Sequence, residues 1–250
     1  MNLELEGHVS VVTGASKGLG RAIVESLVAE GASVLAVARD EKKLDEIRKQ
    51  SPDQIRTQVF DLEDAGSASI LVRKAINEFG VVHSVVNNAG IAPAGDSLGI
   101  ELPEFERVLQ VNLLAPLTIS QTAAQYFVDE GLTGSIVNIA STSGLKGKAR
   151  LTAYSASKGA ILRATESLAA EWARHGIRVN AVAPGAFETD AQKLVLESKD
   201  LLQARLRKIP ARRMGSPKEV GPLVCYLVSD LSSFVTGSTF VIDGGEVAKL

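Results

Sequence analysis

The chain has 250 residues, 45% of them hydrophobic and 22% charged, with a net charge of −2. That length admits one large domain or two small ones, and Lys and Arg are spread along it without the basic stripe a nucleic-acid surface needs. No apolar run approaches the roughly 18–20 residues of a membrane span, the single cysteine excludes an intrachain disulfide framework and a Cys-rich metal site, and the acidic start Met1-Asn-Leu-Glu-Leu-Glu6 does not read as a signal peptide. A cytoplasmic protein is expected.

Residues 8–13 form a short β-branched run that stops at glycines and reads as a buried strand. The turn Thr13-Gly14-Ala15-Ser16-Lys17-Gly18-Leu19-Gly20 follows, and residues 21–30 have helical spacing. Strand, glycine-rich turn and helix are the context that makes a glycine pattern a dinucleotide site. Glycine lets the backbone come close to a pyrophosphate, which sits at the positive end of the helix. The spacing here is Gly-x-x-x-Gly-x-Gly rather than Gly-x-Gly-x-x-Gly.

A second strand over 31–38 ends in Ala38-Arg39-Asp40. Many NAD sites carry an acidic residue at that strand end to hold the ribose 2′-hydroxyl. Ala38, with Arg39 and Lys17 nearby, suits a 2′-phosphate instead; Asp40 would suit the hydroxyl if the strand ran further. A helix is expected over 41–50, a strand over 55–60, a helix over 64–79 and a strand over 82–86. Asp61 could accept a bond from an adenine amine or cap the next helix. Asn87-Asn88-Ala89-Gly90 ends the fourth strand, where its amides can knit the sheet edge and pass close to a ribose.

Residues 102–128 read as one long helix despite Pro116. Asn112 lies in its apolar face, either as a structural hydrogen bonder or as part of a site. The fifth strand, 135–139, stops at Ala140-Ser141-Thr142-Ser143-Gly144. The loop Leu145-Lys146-Gly147-Lys148-Ala149-Arg150 then enters a helix ending near 175. Its three cations could attract an anionic substrate or simply be solvated. A sixth strand, 177–182, feeds Ala183-Pro184-Gly185 and Thr189. Residues 186–215 are polar and mostly helical, and they interrupt the βα rhythm where a mobile lid is expected. A helix from Pro217, carrying Cys225 as a buried structural thiol, and a strand over 239–242 complete the chain. Strands alternating with helices, without repeats or linker, predict one domain over 1–250: an α/β, doubly wound parallel sheet with ligands at the carboxyl ends of its strands.

The stretch Tyr154-Ser-Ala-Ser-Lys158 adds chemistry to that frame. A Tyr and a Lys four apart on a helix share one face. A phenol with pKa near ~10 transfers protons poorly at neutral pH, and a neighbouring ammonium favours the phenolate and draws that pKa down.

With Thr13-Gly-Ala-Ser-Lys-Gly-Leu-Gly20, Asn87-Asn-Ala-Gly90, Asn112, Ser141, Tyr154-x-x-x-Lys158 and Pro184-Gly185 in this order, the chain resembles the short-chain dehydrogenase/reductase family over essentially its whole length. Ser141 stands thirteen residues before Tyr154, as the family's active-site serine does. The resemblance implies a Rossmann-type sheet of about seven strands with helices on both faces, and hydride transfer between a nicotinamide and a carbonyl or carbinol carbon. Tyr154 would give or take the proton on oxygen, and Lys158 would lower its pKa and hold the nicotinamide ribose. Ser141 would hydrogen-bond the substrate oxygen, and Asn112 would help to hold a water linking Lys158 to solvent. The implied cofactor surface comprises Gly14, Ser16, Lys17, Gly18, Leu19, Gly20, Arg39, Asp61 and Leu62, then Asn88, Ala89 and Gly90. Tyr154, Lys158, Pro184 and Gly185 complete it, with Ile91 beside the ribose and Thr189 beside the carboxamide.

Lys17 and Arg39 are similar to the pair in NADP-preferring members, so NADP(H) is expected, with NAD(H) possible. No metal is implied, since His8 and His83 fall in or beside strands without a cluster. Similar members act on general ketones, 3-oxoacyl thioesters on a carrier or CoA, or sugar acids of the gluconate type. The acidic exit Asp129-Glu130 of the first long helix is wrong for meeting an acidic carrier, although Arg174 is available on the second. The family likeness also implies a homotetramer, packed through segments 102–128 and 152–175 and from Pro217 onward, with neither nucleic acid nor membrane as partner. A cofactor-sensing regulator on this fold would usually lose the Tyr or the Lys, and a nucleotide-sugar epimerase would need a longer chain.

Overall fold

The computed structural model describes residues 3–248. In the first half, β1 (Val9–Thr13), α1 (Gly18–Ala29), β2 (Ser33–Ala38), α2 (Glu41–Gln50), β3 (Ile55–Val59), α3 (Ile70–Phe79) and β4 (Ser84–Asn87) alternate. The second half runs α4 (Leu102–Leu109), α5 (Ala115–Asp129), β5 (Gly134–Ile139), the short α6 (Thr142–Leu145), α7 (Thr152–Trp172) and β6 (Ile177–Pro184). It closes with α8 (Lys193–Glu197), α9 (Lys199–Lys208), α10 (Gly221–Val228) and β7 (Thr239–Ile242). Among the described residues no helix is long and apolar enough to cross a membrane.

The strands form one parallel sheet in the order β3-β2-β1-β4-β5-β6-β7. Val11 of β1 stands beside Leu35 on one side and Val85 on the other, so the strand order reverses at β1 and β4. At such a reversal the connections leave in opposite directions and a crevice opens beyond the carboxyl ends. Every residue of β1, β4, β5 and β6 is buried, because helices cover both faces. Ile23 and Leu27 of α1 and Val224 of α10 share one layer with Val12, Val86 and Val137. Leu71 of α3, Ile119 and Phe127 of α5 and Ala169 of α7 share the other with Val11, Val85 and Ile136. Successive strand residues point to opposite faces, which sends Val11 and Val12 to different layers.

Two expectations need correction. Residues 102–128 are not one regular helix: α4 and α5 are joined by a π turn, Gln110–Leu114, in which the Ala115 N–H reaches back to the Gln110 carbonyl. Pro116 has no N–H to return to the Asn112 carbonyl, so the ladder slips by one residue around it. Pro217 opens only a 3₁₀ turn, Pro217–Glu219, closed by a capping box between Ser216 and Glu219, and the α-helix proper begins at Gly221. Cys225 is buried on α10, and burial pushes its thiol up to about 12. His8 and His83 lie at the amino-terminal end of the sheet with rings stacked 5.0 Å apart. His83 Nδ1 accepts the Val9 N–H, and burial pushes His8 down to about 3.

Candidate active site

A cleft of about 870 Å³ runs along the carboxyl ends of the strands, a size typical of small-molecule sites. Every residue expected on the cofactor surface lines it, from Gly14, Ser16, Lys17, Gly18, Leu19 and Gly20 through Arg39, Asp61 and Leu62 to Asn88, Ala89, Gly90 and Ile91. Ser141, Tyr154, Lys158, Pro184, Gly185 and Thr189 line it as well.

The first turn is a cradle for an anion. α1 begins at Gly18 with no side chain capping its free N–H groups, which leaves them for a ligand. A Cβ on Gly20 would overlap the Gly14 carbonyl oxygen and the Asn88 side chain, so only glycine lets the helix start so close to β1. Asn88 ties β4 to this turn: its Nδ2 donates to the carbonyls of Thr13 and Gly14 at 2.9 and 3.2 Å. The N–H groups of Asn88 and Ala89 donate to Thr13 Oγ1 at 3.0 and 3.1 Å. A glycine cradle, an uncapped helix terminus and a cationic far end together fit a dinucleotide.

At that far end β2 stops at Ala38, as read from the sequence. Asp40 is the N-cap of α2, accepting the Lys43 N–H at 3.1 Å, so its carboxylate is committed to the helix. Asp61 does not cap a helix; its Oδ1 accepts the Glu63 N–H two residues on, while Asp64 takes the Ser67 N–H. The Arg39 guanidinium stands 3.5 Å from Asp61 and 3.6 Å from Glu63, exposed pairs that a phosphate could replace at little cost. Lys43 also lines the cleft, from the first turn of α2, and stands 4.0 Å from Asp190 of the 186–215 segment. Sequence reasoning passed it over; its place in the first turn of the helix that follows Ala38 and Arg39 was the available signal.

At the other end the Ser141 Oγ accepts the Ser143 N–H at 3.1 Å, and the Ser141 side chain is close enough to Tyr154 to act on its hydroxyl. Lys158, only 4% exposed, donates from Nζ to the Ile139 carbonyl at 2.7 Å and stands 5.9 Å from the centre of the Tyr154 ring. Burial pushes the Tyr154 hydroxyl above the usual phenol range, with the Ser141 hydrogen bond opposing it. Burial also draws Lys158 down to about 8. Desolvation is therefore the larger influence on this pair in the structure, because the ammonium is directed at a backbone carbonyl rather than at the phenol.

Asn112 does not line the cleft. From the π turn its Oδ1 accepts the Ile91 N–H at 2.9 Å, and its Nδ2 donates to the Ile91 carbonyl at 2.9 Å and to Ser157 Oγ at 3.0 Å. The Ser157 hydroxyl in turn donates to the Tyr154 carbonyl. The amide thereby joins the loop after β4 to the helix bearing Tyr154 and Lys158. A Cβ on Gly90 would stand 3.3 Å from Asn112 Oδ1 and 3.4 Å from Lys158 Nζ, a close fit against both groups.

Comparison with known proteins agrees with this geometry. A family model described as enoyl-(acyl carrier protein) reductase matches residues 14–246. The 2-dehydro-3-deoxy-D-gluconate 5-dehydrogenase of Dickeya dadantii is 36% identical over 248 residues, 98% of this chain and 97% of that protein. The 3-oxoacyl-[acyl-carrier-protein] reductase of Thermotoga maritima is 35% identical, covering 98% of this chain and 100% of that one. Among solved structures, a gluconate 5-dehydrogenase from Burkholderia cenocepacia in complex with NADP and tartrate superposes with a TM-score of 0.93 at 27% identity, covering 100% of this chain and 98% of that one. The seven-stranded sheet, the cleft at its carboxyl edge and these full-length likenesses agree that the chain belongs to the short-chain dehydrogenase/reductase family, oxidoreductases acting on CH–OH groups.

Proposed function

We propose that the protein interconverts a ketone and a secondary alcohol with NADP(H), using Tyr154 as general acid and base. The observation that carries this reading is one cleft with a glycine cradle and cations at one end and Ser141 and Tyr154 together at the other. The nicotinamide cofactor supplies or takes the hydride. Tyr154 moves the proton on the substrate oxygen, and Ser141 steadies the charge that develops there. Lys158 holds the cofactor ribose and favours the phenolate, while Asn112 positions the loop after β4 and the site's water. Residues 186–215 act as a lid over the substrate.

The substrate is a small ketone, with keto sugar acids and free or CoA-linked 3-oxoacyl groups as the main competitors, since relatives bear both kinds of name. Carrier-bound acyl chains rank lower because α5 exits through exposed Asp129 and Glu130. Loss of NADPH absorbance with a panel of ketones, diketones, keto sugar acids and 3-oxoacyl thioesters tests the reading. No oxidation of NADPH by any member would overturn it, and faster turnover of carrier-bound than of free thioesters would reverse that ranking.

For the cofactor, Lys17 and Arg39 supply charge-assisted bonds to the 2′-phosphate, each contributing about 1.5–3 kcal/mol before screening. Arg39→Ala is expected to raise KM for NADPH about tenfold and to leave that for NADH nearly unchanged. Ala38→Asp adds repulsion and is expected to reverse the preference. Equal use of NADH and NADPH by the unaltered enzyme would sink this assignment.

A homotetramer is expected from the apolar groups left exposed on the two candidate faces: Leu102, Leu114 and Val128 around α4 and α5, and Leu231, Phe234 and Val241 around α10 and the edge strand β7. Light scattering at micromolar concentration should return a tetramer mass, and a monomer mass would refute the assembly. A single, buried cysteine suits a reducing compartment, in keeping with a cytoplasmic enzyme.

A further inference from the structure

Residues 186–192 cross the cofactor cleft, and they are held differently on its two sides. On the β6 side the Glu188 N–H donates to the Gly215 carbonyl and the Gly215 N–H to the Ala186 carbonyl, both at 2.9 Å. The Phe187 ring covers Gly215 so closely that a Cβ there would overlap it. Thr189 then passes over the start of α1, where a Cβ on Gly18 would stand 3.4 Å from its Cγ2. The uncapped N–H groups of α1 begin at Gly18, so the segment crosses above the anion cradle. On the far side Asp190 meets Lys43 of α2, Oδ2 to Nζ at 4.0 Å. Thr189, Asp190, Ala191 and Gln192 all line the cleft together with Lys43.

That ion pair is the weak end of the crossing. The Lys43 and Asp190 side chains are 41% and 63% exposed, a setting in which a pair contributes little. Among the described residues neither has another charged partner within 4.0 Å. Beyond Asp190 a cavity of about 640 Å³ lies between Arg21 and Glu25 of α1 on one side and Lys193 and Glu197 of α8 on the other, so the segment is held off α1 rather than packed on it. Lys43 is better placed for a second partner. It shares the cleft with Lys17 and Arg39 at the end of β2, and Asp40 accepts its backbone N–H, which fixes its stem on the first turn of α2. A phosphate of nearly two charges forms stronger bonds to an ammonium than one carboxylate standing 4.0 Å away.

We propose that Lys43 and Asp190 form a latch that sets cofactor specificity: Asp190 competes with the adenosine 2′-phosphate for Lys43. NADP(H) takes the ammonium and frees the segment, whereas NAD(H), which brings no 2′-phosphate, leaves the segment tied across the cleft. Lys43 is then a third cation for the phosphate, and Asp190 acts through it. The inference rests on the NADP(H) reading of the same cleft.

The test is a double-mutant cycle read by fluorescence titration with NADPH and with NADH, on the unaltered enzyme, Lys43→Met, Asp190→Asn and the two combined. Lys43→Met keeps the backbone N–H that Asp40 accepts, and it should raise Kd for NADPH about five- to tenfold while changing that for NADH by less than about twofold. Asp190→Asn should tighten NADPH about two- to fivefold, and should cease to do so once Lys43 is methionine. Hydrogen–deuterium exchange over 189–197, at saturation with each cofactor, should be faster with NADPH than with NADH, and that difference should vanish in Asp190→Asn. A gain in Asp190→Asn that persists undiminished beside Lys43→Met would assign it to plain charge repulsion and overturn the latch, as would equal exchange with the two cofactors. An NADPH Kd unchanged in Lys43→Met but raised in Arg39→Ala overturns the latch and leaves the NADP(H) reading standing. If neither substitution matters and the unaltered enzyme binds both cofactors equally, both readings fall.

Discussion

Tyr154→Phe is expected to lower turnover by about 10²–10⁴-fold, the usual contribution of a positioned general acid or base, while NADPH still binds. The ring packs as before and only the hydroxyl beside Ser141 is lost. Because burial raises this hydroxyl above the usual phenol range, Tyr154 is protonated at neutral pH and ready to donate in the reductive direction. Alcohol oxidation needs the phenolate, so its rate should climb as pH rises toward that raised value, whereas ketone reduction should fall over the same range. Initial rates in both directions across pH, with fluorescence titration of NADPH for the variant, check both statements. A loss of turnover below tenfold would remove Tyr154 from the proton-transfer step.

Lys158→Met is expected to separate activity from stability. Its pKa falls from 10.5 to about 8 on folding, through burial. The unfolded chain therefore binds more protons between these two values, and this residue's contribution to stability rises as pH climbs through about 8 toward 10.5. Below that window both states are protonated and the full penalty is present, on the order of 3 kcal/mol. Methionine removes the charge, but it also leaves the Ile139 carbonyl without the bond Lys158 makes at 2.7 Å. A net gain of about 1–2 kcal/mol at pH 7 remains, visible as a melting temperature a few degrees higher. Turnover should fall at least as far as in Tyr154→Phe, because cofactor holding is lost with the charge. Unchanged activity would exclude Lys158 from the mechanism, and a melting temperature lower at pH 7 than at pH 9 by the same amount in both proteins would exclude it as the buried cation that titrates.

The stability gain expected from removing Lys158 is what a functional residue in an unfavourable environment looks like. Exposure also separates the loop cations. Lys146, Lys148 and Arg150 are equivalent as letters in a sequence, yet only Lys148 is drawn into the protein beside Thr142. Exposure could not be read from their spacing, because it depends on where α9 and the C-terminal segment come to rest.

Local chemistry makes much of the molecule legible in the amino-acid sequence. β-branched runs ending at glycines mark the strand positions. The Thr13-to-Gly20 turn announces an anion cradle, since close backbone approach needs glycine in whatever fold holds it. The four-residue spacing of Tyr154 and Lys158 puts both on one face of α7, because helical geometry is local. Asp40 is ambiguous from sequence alone, as a carboxylate after a strand can hold a ribose or cap a helix, and only the bond from the Lys43 N–H decides for the cap. The π turn at Gln110–Leu114 is hidden because Pro116 is tolerated in more than one way, and the slipped ladder is seen only with Asn112 reaching Ile91 and Ser157. The order β3-β2-β1-β4 brings Asn88 against Gly14, and the 186–215 segment brings Asp190 to Lys43. The sequence by itself determined most of the elements, the glycine turn and the Tyr–Lys spacing, because backbone propensity and helical spacing act within a few residues. Tertiary structure decided which carboxylates are occupied, which ammonium groups are desolvated and which loops meet, because burial and pairing are set by segments far apart in the chain.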